Sequence, residues 1–258
     1  MGKRIIDAHA HLFRGTKAKL LKQLKEANIE KALILDYYDK KDKELGYERQ
    51  ALIDTIKREP KLFLAASYDV LKSDEKELRF IDRNLKNNNY IALKLYPGYQ
   101  HFYPGERRCS KLYRLCMKHD APVIFHSGSF GSQENAKIKY AQPIFLDDVA
   151  TKFPGLKIVI SHLGNPFLEQ AMAVMEKNGN VYADLSGLVD DATDYGRHAK
   201  DSFERVVECV GTGRLIFGSD CDVTAERISD YVKFIKKIIP KECHEDVFYN
   251  NARKLFRI

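Results

Sequence analysis

Eight short apolar runs, each followed by a stretch of helical character, constrain this 258-residue chain more than any other feature. The runs are Arg4–His9, Lys31–Asp36, Leu62–Tyr68, Ile91–Tyr96, Pro122–His126, Lys157–His162, Asn180–Leu185 and Leu215–Ser219, about 30 residues apart. They are nearly continuous in apolar and β-branched residues, as strands are when both faces of a parallel sheet are covered. Between them, Lys17–Ala27 sets Leu20, Leu21, Leu24 and Ala27 on one stripe, and Glu226–Ile239 does the same with Ile228, Tyr231, Val232, Ile235 and Ile239. Strands alternating with amphipathic helices make parallel βαβ units. Eight units predict an α/β fold, a (β/α)8 TIM barrel, as one domain over residues 1–258, since about 250 residues is typical of that fold. A doubly wound open sheet would show a glycine-rich turn after its first strand; here the first strand runs into His9-Ala10-His11.

The carboxyl ends of the strands carry the chemistry. His9 and His11 end strand one, His126 ends strand five, His162 ends strand six, and Asp220 follows strand eight. Side chains alternate along a strand, so His9 and His11 share a face, and in a barrel all five residues ring one mouth. Neutral imidazoles and a carboxylate are good ligands for Zn²⁺ and similar divalent ions, which activate water when one position stays open. Asp7 shares parity with His9 and is expected to orient a ligand; Asp184 and Ser186 end strand seven as a polar pair. Tyr96, Gln100, Phe102 and Ser127 lie just past strands four and five, where a substrate would be read. His101, His119, His198 and His244 read as loop or helix-surface residues, with His101 a further candidate for the pocket wall. Three long connections, Gly98–Arg108, Gly128–Pro143 and Gly187–Lys200, leave strand carboxyl ends as candidate pocket walls or lids.

Charge and cysteines narrow the setting. The net charge of +7 permits nucleic acid or an anionic small molecule as partner. The lysines are dispersed over helix faces, as Lys17, Lys19, Lys22 and Lys25 show, and no basic patch interleaved with aromatics appears, which disfavours nucleic acid. No apolar run is long enough for a membrane span. Neither a signal peptide nor a CxxC pair is present among Cys109, Cys116, Cys209, Cys221 and Cys243, so reduced thiols and the cytoplasm are expected. A homo-oligomer is left open.

Ile5-Ile6-Asp7-Ala8-His9-Ala10-His11 resembles the opening of the amidohydrolase superfamily. Ala92-Leu93-Lys94-Leu95-Tyr96-Pro97, Pro122-Val123-Ile124-Phe125-His126-Ser127-Gly128, Ser161-His162-Leu163-Gly164, Phe217-Gly218-Ser219-Asp220 and Asn250-Asn251-Ala252-Arg253-Lys254-Leu255-Phe256 follow in that family's order. The ordered set is most similar to the amidohydrolase-related branch, which includes the aminocarboxymuconate-semialdehyde decarboxylase-like proteins. The resemblance implies one divalent metal, most simply Zn²⁺, held by His9, His11, His126 and Asp220, with His162 as general acid/base and Asp220 as a second proton acceptor.

Lys94 has two readings. As an ammonium it binds a substrate carboxylate, beside Tyr96 and Ser127. If carboxylated, it would bridge a second metal, as in binuclear members of the superfamily. The expected activity is hydrolysis of a small anionic substrate with an amide, lactone or ester-like bond. The alternative is non-oxidative decarboxylation of a small unsaturated or aromatic acid. Metal-dependent nucleases of the TatD type share the barrel and the His-x-His pair but carry a glutamate where this chain offers Lys94.

Overall fold

A computed structural model describes residues 4–37, 47–72, 74–130, 134–188, 198–220 and 228–258. Eight parallel strands follow one another in sequence order around one sheet: β1 Ile5–Ala10, β2 Ile29–Leu35, β3 Leu62–Ser67, β4 Ala92–Leu95, β5 Val123–Phe125, β6 Ile158–Ile160, β7 Val181–Asp184 and β8 Leu215–Ile216. The outer helices are α1 Lys17–Glu26, α2 Arg49–Lys57, α3 Glu75–Lys86, α4 Ser110–Lys118, α5 Leu146–Lys152, α6 Leu168–Lys177, α7 Ala199–Val210, α8 Ile228–Ile238 and α9 Asn251–Phe256. Helix α3 shows why such segments begin and end where they do. Asp74 caps it by accepting the Lys76 N–H at 2.8 Å, Glu75 and Glu77 sit at its positive end, and Arg83 and Lys86 at its negative end. Of the two helices read from periodicity, α1 appears as expected, and α8 does so from Ile228; Glu226 and Arg227 lie outside the described residues.

The apolar runs outlast the hydrogen-bonded strands at several carboxyl ends. Strand β8 pairs only over Leu215–Ile216, and Phe217–Asp220 leave the ladder to make contacts with β1. Those contacts close the barrel: the Ala8 N–H donates to the Phe217 carbonyl at 3.0 Å and the Asp220 N–H to the His9 carbonyl at 2.7 Å.

Two apolar layers are separated by strand parity. Ile6, Leu33, Ala65, Ala92, Ile124 and Val159 fill the interior with Ile216, and Tyr249, Ala252, Leu255 and Phe256 at the C-terminus complete that cluster. Alternate residues such as Ile34, Leu64, Leu93, Phe125 and Ile160 pack outward against the helices. Interior parity therefore carries Lys94, His126, Ser161 and Asp184 inward, two residues past Ala92, Ile124, Val159 and Tyr182.

Strand β1 breaks this rule. Its register with β2 shifts between Asp7 and Ala10: Ala8 packs in the inner cluster with Ile6, whereas Ala10, of the same parity, packs in the outer one. Asp7 stands at this irregularity. Its carboxylate accepts the Ser219 N–H at 2.9 Å, the Ser219 hydroxyl at 2.6 Å and the His9 N–H at 3.2 Å, and ties β1 to the end of β8.

One other sequence expectation is adjusted. His244 is buried, with Nε2 3.2 Å from the Ile239 carbonyl and its ring edge-on to Phe248, because the final helices fold back over it. Cys109, Cys116, Cys209 and Cys243 are free thiols, and Cys221 lies outside the described residues. Among the described residues no helix is long and apolar enough to cross a membrane.

Gly218, two residues past β8, packs directly against β1. A Cβ built there would stand 2.5 Å from the His9 Cβ. Gly218→Ala is expected to lower unfolding free energy by about 1–3 kcal/mol in chemical denaturation, through overpacking beside His9. Unchanged stability would show that this seam is looser than described.

Candidate metal centre

The first two histidines are aimed by their second nitrogens. His9 is 1% exposed and donates Nδ1–H to Asp184 Oδ2 at 2.9 Å; His11 donates Nδ1–H to the Leu35 carbonyl at 3.1 Å. Each ring thereby presents the lone pair of Nε2, and both lone pairs face one atom, Asp220 Oδ1, at 3.4 and 3.0 Å. Three acceptors converging in this way repel one another unless a proton or a cation sits among them. Burial, together with the nearby charge of Lys94, pushes His9 down to about 4, so that ring supplies no proton at neutral pH. Ligand-capable atoms of His9, His162 and Asp220 lie within 4.8 Å of one another, and His11 joins them through Asp220.

The charges point the same way. Burial raises the carboxyls of Asp184 and Asp220, but the surrounding histidines outweigh it: His9 and His162 for Asp184, His9 and His11 for Asp220. Both are held below the usual carboxylate range. Lys94 is the buried ammonium facing them among the described residues. One buried and one half-buried anion against one buried cation favour a further positive charge. The donor set of neutral imidazoles plus carboxylate suits a divalent ion, with the remaining imidazole nitrogens already held by a carboxylate and a carbonyl.

The amidohydrolase family profile matches residues 6–258. The chain belongs to the amidohydrolase family. It is an enzyme fold of this superfamily, and its neighbours among solved structures share the barrel. A probable 2-pyrone-4,6-dicarboxylic acid hydrolase from Acinetobacter baumannii, crystallised with citric acid, superposes with a TM-score of 0.74 at 18% identity, covering 98% of this chain and 99% of that one. The 5-carboxyvanillate decarboxylase of Sphingomonas paucimobilis gives a TM-score of 0.74 at 13% identity over 100% of both chains. An amidohydrolase from Burkholderia multivorans with bound zinc gives 0.73 at 13% identity, over 98% and 99%. No curated protein sequence matches the chain.

Around this amidohydrolase centre the other expected residues take different stations. His162 follows β6 in a left-handed turn, φ 60°, and its ring centroid lies 5.1 Å from those of both His9 and His126. His126 turns Nε2 towards the Ser129 carbonyl, 3.1 Å away, and packs against both Tyr99 and Phe130, at 4.9 and 4.7 Å. The Tyr96 hydroxyl donates to the Asp36 carbonyl at 2.9 Å, and its ring lies 5.4 Å from Lys94 Nζ. Ser127 is buried, its hydroxyl bonded to the Phe125 carbonyl at 3.3 Å. Gln100 and Phe102 are buried as well, while His101 stacks on Tyr140 in the loop that follows β4.

Sequence reasoning missed Ser161, which accepts a hydrogen bond from Lys94 Nζ at 2.7 Å. Its parity with Val159 would have revealed it. It also missed Tyr99 and Phe130, which no strand pattern marks.

Lys94 offers a test of the buried charge. Burial pushes its ammonium from 10.5 down to about 8. Between those values the unfolded chain binds a proton that the folded one has released, so wild-type stability rises with pH there; below about 8 the charge costs stability. The stability of Lys94→Met minus that of wild type in the metal-free protein is therefore at its highest near neutral pH. This difference should fall by an amount on the order of 3 kcal/mol as pH rises to 10.5. A pH-independent difference in chemical denaturation would contradict a buried, unmodified ammonium.

Proposed function

We propose that this amidohydrolase is a metal-dependent hydrolase of a small carboxylate-bearing substrate with a lactone, amide or ester-like bond. The observation that carries the reading is the convergence of the His9 and His11 Nε2 lone pairs on Asp220. His9, His11 and Asp220 would hold a divalent cation there, Zn²⁺ being the natural choice for this donor set, and it would supply Lewis-acid polarisation and the activation of water.

The chain's own residues supply the rest. Asp184 and the Leu35 carbonyl orient the His9 and His11 rings. His126 stands one ring away from His162 and completes the imidazole wall. His162 is neutral, because burial holds it below the usual imidazole value, and so can take up a proton as general base and return it to the leaving group. The second carboxylate oxygen of Asp220 can share that proton. Lys94, held by Ser161 and facing the Tyr96 ring, is the counter-charge for a substrate carboxylate. With Lys94 as a free ammonium, one metal ion suffices.

The same residues suit a carboxy-lyase, the activity named for one structural neighbour, a 5-carboxyvanillate decarboxylase. A panel of unsaturated cyclic acids, their lactones and amides, and aromatic carboxylic acids separates the two. Ring opening or amide cleavage by the metal-loaded enzyme is the expected result. Release of CO2 would move the assignment to the lyase, and no turnover on either arm would overturn both.

Within an active preparation, His9→Ala and Asp220→Asn are expected to lose both metal and turnover. His162→Ala should keep its metal and lose about 10²- to 10⁴-fold in rate. Normal turnover in any of the three contradicts the role given to that residue.

A further inference from the structure

Asp184 and Ser186, at the carboxyl end of β7, stand between His9 and His162, and both are fully buried. Asp184 Oδ2 takes the His9 Nδ1–H at 2.9 Å. Asp184 Oδ1 takes the backbone N–H of His162 at 2.9 Å, the backbone N–H of Ser186 at 3.1 Å and the Ser186 hydroxyl through a short hydrogen bond. The serine has one proton, and that proton goes to the carboxylate. Its oxygen is then an acceptor for its remaining neighbours, which are His9 Nδ1 at 3.0 Å and His162 Nδ1 at 2.8 Å.

Among the described residues, the other polar groups near His162 Nδ1 are acceptors as well. The Ser186 carbonyl lies at 3.4 Å and Asp220 Oδ2 at 3.9 Å. A neutral imidazole carries one N–H, and acceptors on all sides of Nδ1 put it there. His162 Nε2 is left with the lone pair.

We propose that Ser186, backed by Asp184, is a positioning residue that holds the proton of His162 on Nδ1. In consequence, Nε2 is the nitrogen through which His162 exchanges protons at the site, and the nitrogen nearest Asp220 is blocked as a metal ligand. This arrangement separates His162 from His9 and His11, whose protonated Nδ1 atoms point away from Asp220 and whose Nε2 atoms point at it.

The turn that follows is built to let the ring approach. Gly187 has φ 65°, and a Cβ there would stand 3.0 Å from His162 Nδ1. The left-handed conformation of His162 itself brings its ring back over Ser186, while its own N–H is held by Asp184.

The proton's location rests on the hydrogen-bond geometry alone; its role in turnover rests on the hydrolase reading above. The experiment keeps the two apart. In ¹⁵N-histidine-labelled, metal-free protein at pH 8, long-range ¹H–¹⁵N correlation spectra report the tautomer of each ring, with His162 assigned by its absence in His162→Gln. Wild type should show His162 protonated at Nδ1. Ser186→Ala should lose that preference and Ser186→Thr should keep it. If Ser186→Ala does not fold, Gly187→Ala, which presses on the same nitrogen, should produce the same loss. An Nε2–H tautomer in wild type, or an unchanged tautomer in both Ser186→Ala and Gly187→Ala, overturns the proposal whatever the enzyme's activity.

Once a substrate is in hand, Ser186→Ala should bind metal with unchanged stoichiometry and lose about 10- to 100-fold in kcat. KM should stay near wild type, and Ser186→Thr should recover most of the rate. The expected tautomers without any turnover would overturn the hydrolase reading and leave Ser186 in its place.

Discussion

A carboxylate drawn partly out of water must be compensated, and the mouth of this barrel is organised around one such group, the half-buried Asp220. It lies below the usual carboxylate range despite burial, with His9 and His11 at hydrogen-bonding distance or just beyond. Isolated buried anions are among the most costly features a protein can hold, and removing one partner of a buried pair is strongly destabilising. The imidazoles facing Asp220 are committed through their other nitrogens to Asp184 and to Leu35. They offer lone pairs, which deepen the local negative potential. A fold that accumulates acceptors in this way is prepared for a cation.

The barrel makes that preparation possible through its closure. Strand β8 pairs for only two residues, and the chain beyond it is fastened to β1 by Asp7, by the Ala8 and Asp220 amides and by the close approach permitted at Gly218. Asp220 and His9 are thus fixed by one seam. Burial pushes Asp7 up to about 6 even though Ser219 and the His9 amide bond to it, so this tie is itself a strained use of charge next to the site. Asp184 plays the matching part from β7, where one carboxylate serves His9, His162 and Ser186 together. The structural neighbours carry names of different reactions, and on a shared scaffold such differences come from the groups lining the mouth of the pocket. Lys94, Tyr96, Tyr99 and Phe130 occupy that zone here.

Much of this was legible in the sequence. The eight strands and their order follow from near-continuous apolar runs at a regular spacing, because a sheet covered on both faces demands them. Strand ends were legible as well, so the histidines and Asp220 could be placed on one mouth without any knowledge of contacts. Three things escaped, each for a physical reason. The register shift in β1 leaves no mark on an apolar pattern, and Asp7, which stands at it, spends its carboxylate on Ser219 and the His9 amide. Ser161 is an ordinary residue in an apolar run until the neighbouring strand brings Lys94 to it. Asp184 and Ser186 were visible as a polar pair, but their weight comes from the two histidines they serve, which are distant in sequence.

The central claim is that a single divalent cation belongs between the His9 and His11 Nε2 atoms and Asp220. Crystals of metal-loaded protein, with anomalous diffraction recorded on both sides of the metal's absorption edge, test it directly. The account predicts one anomalous peak per chain, touching His9, His11 and Asp220, with Lys94 as an unmodified ammonium bonded to Ser161. Two peaks bridged by a carboxylated Lys94, or none at saturating metal, would contradict it.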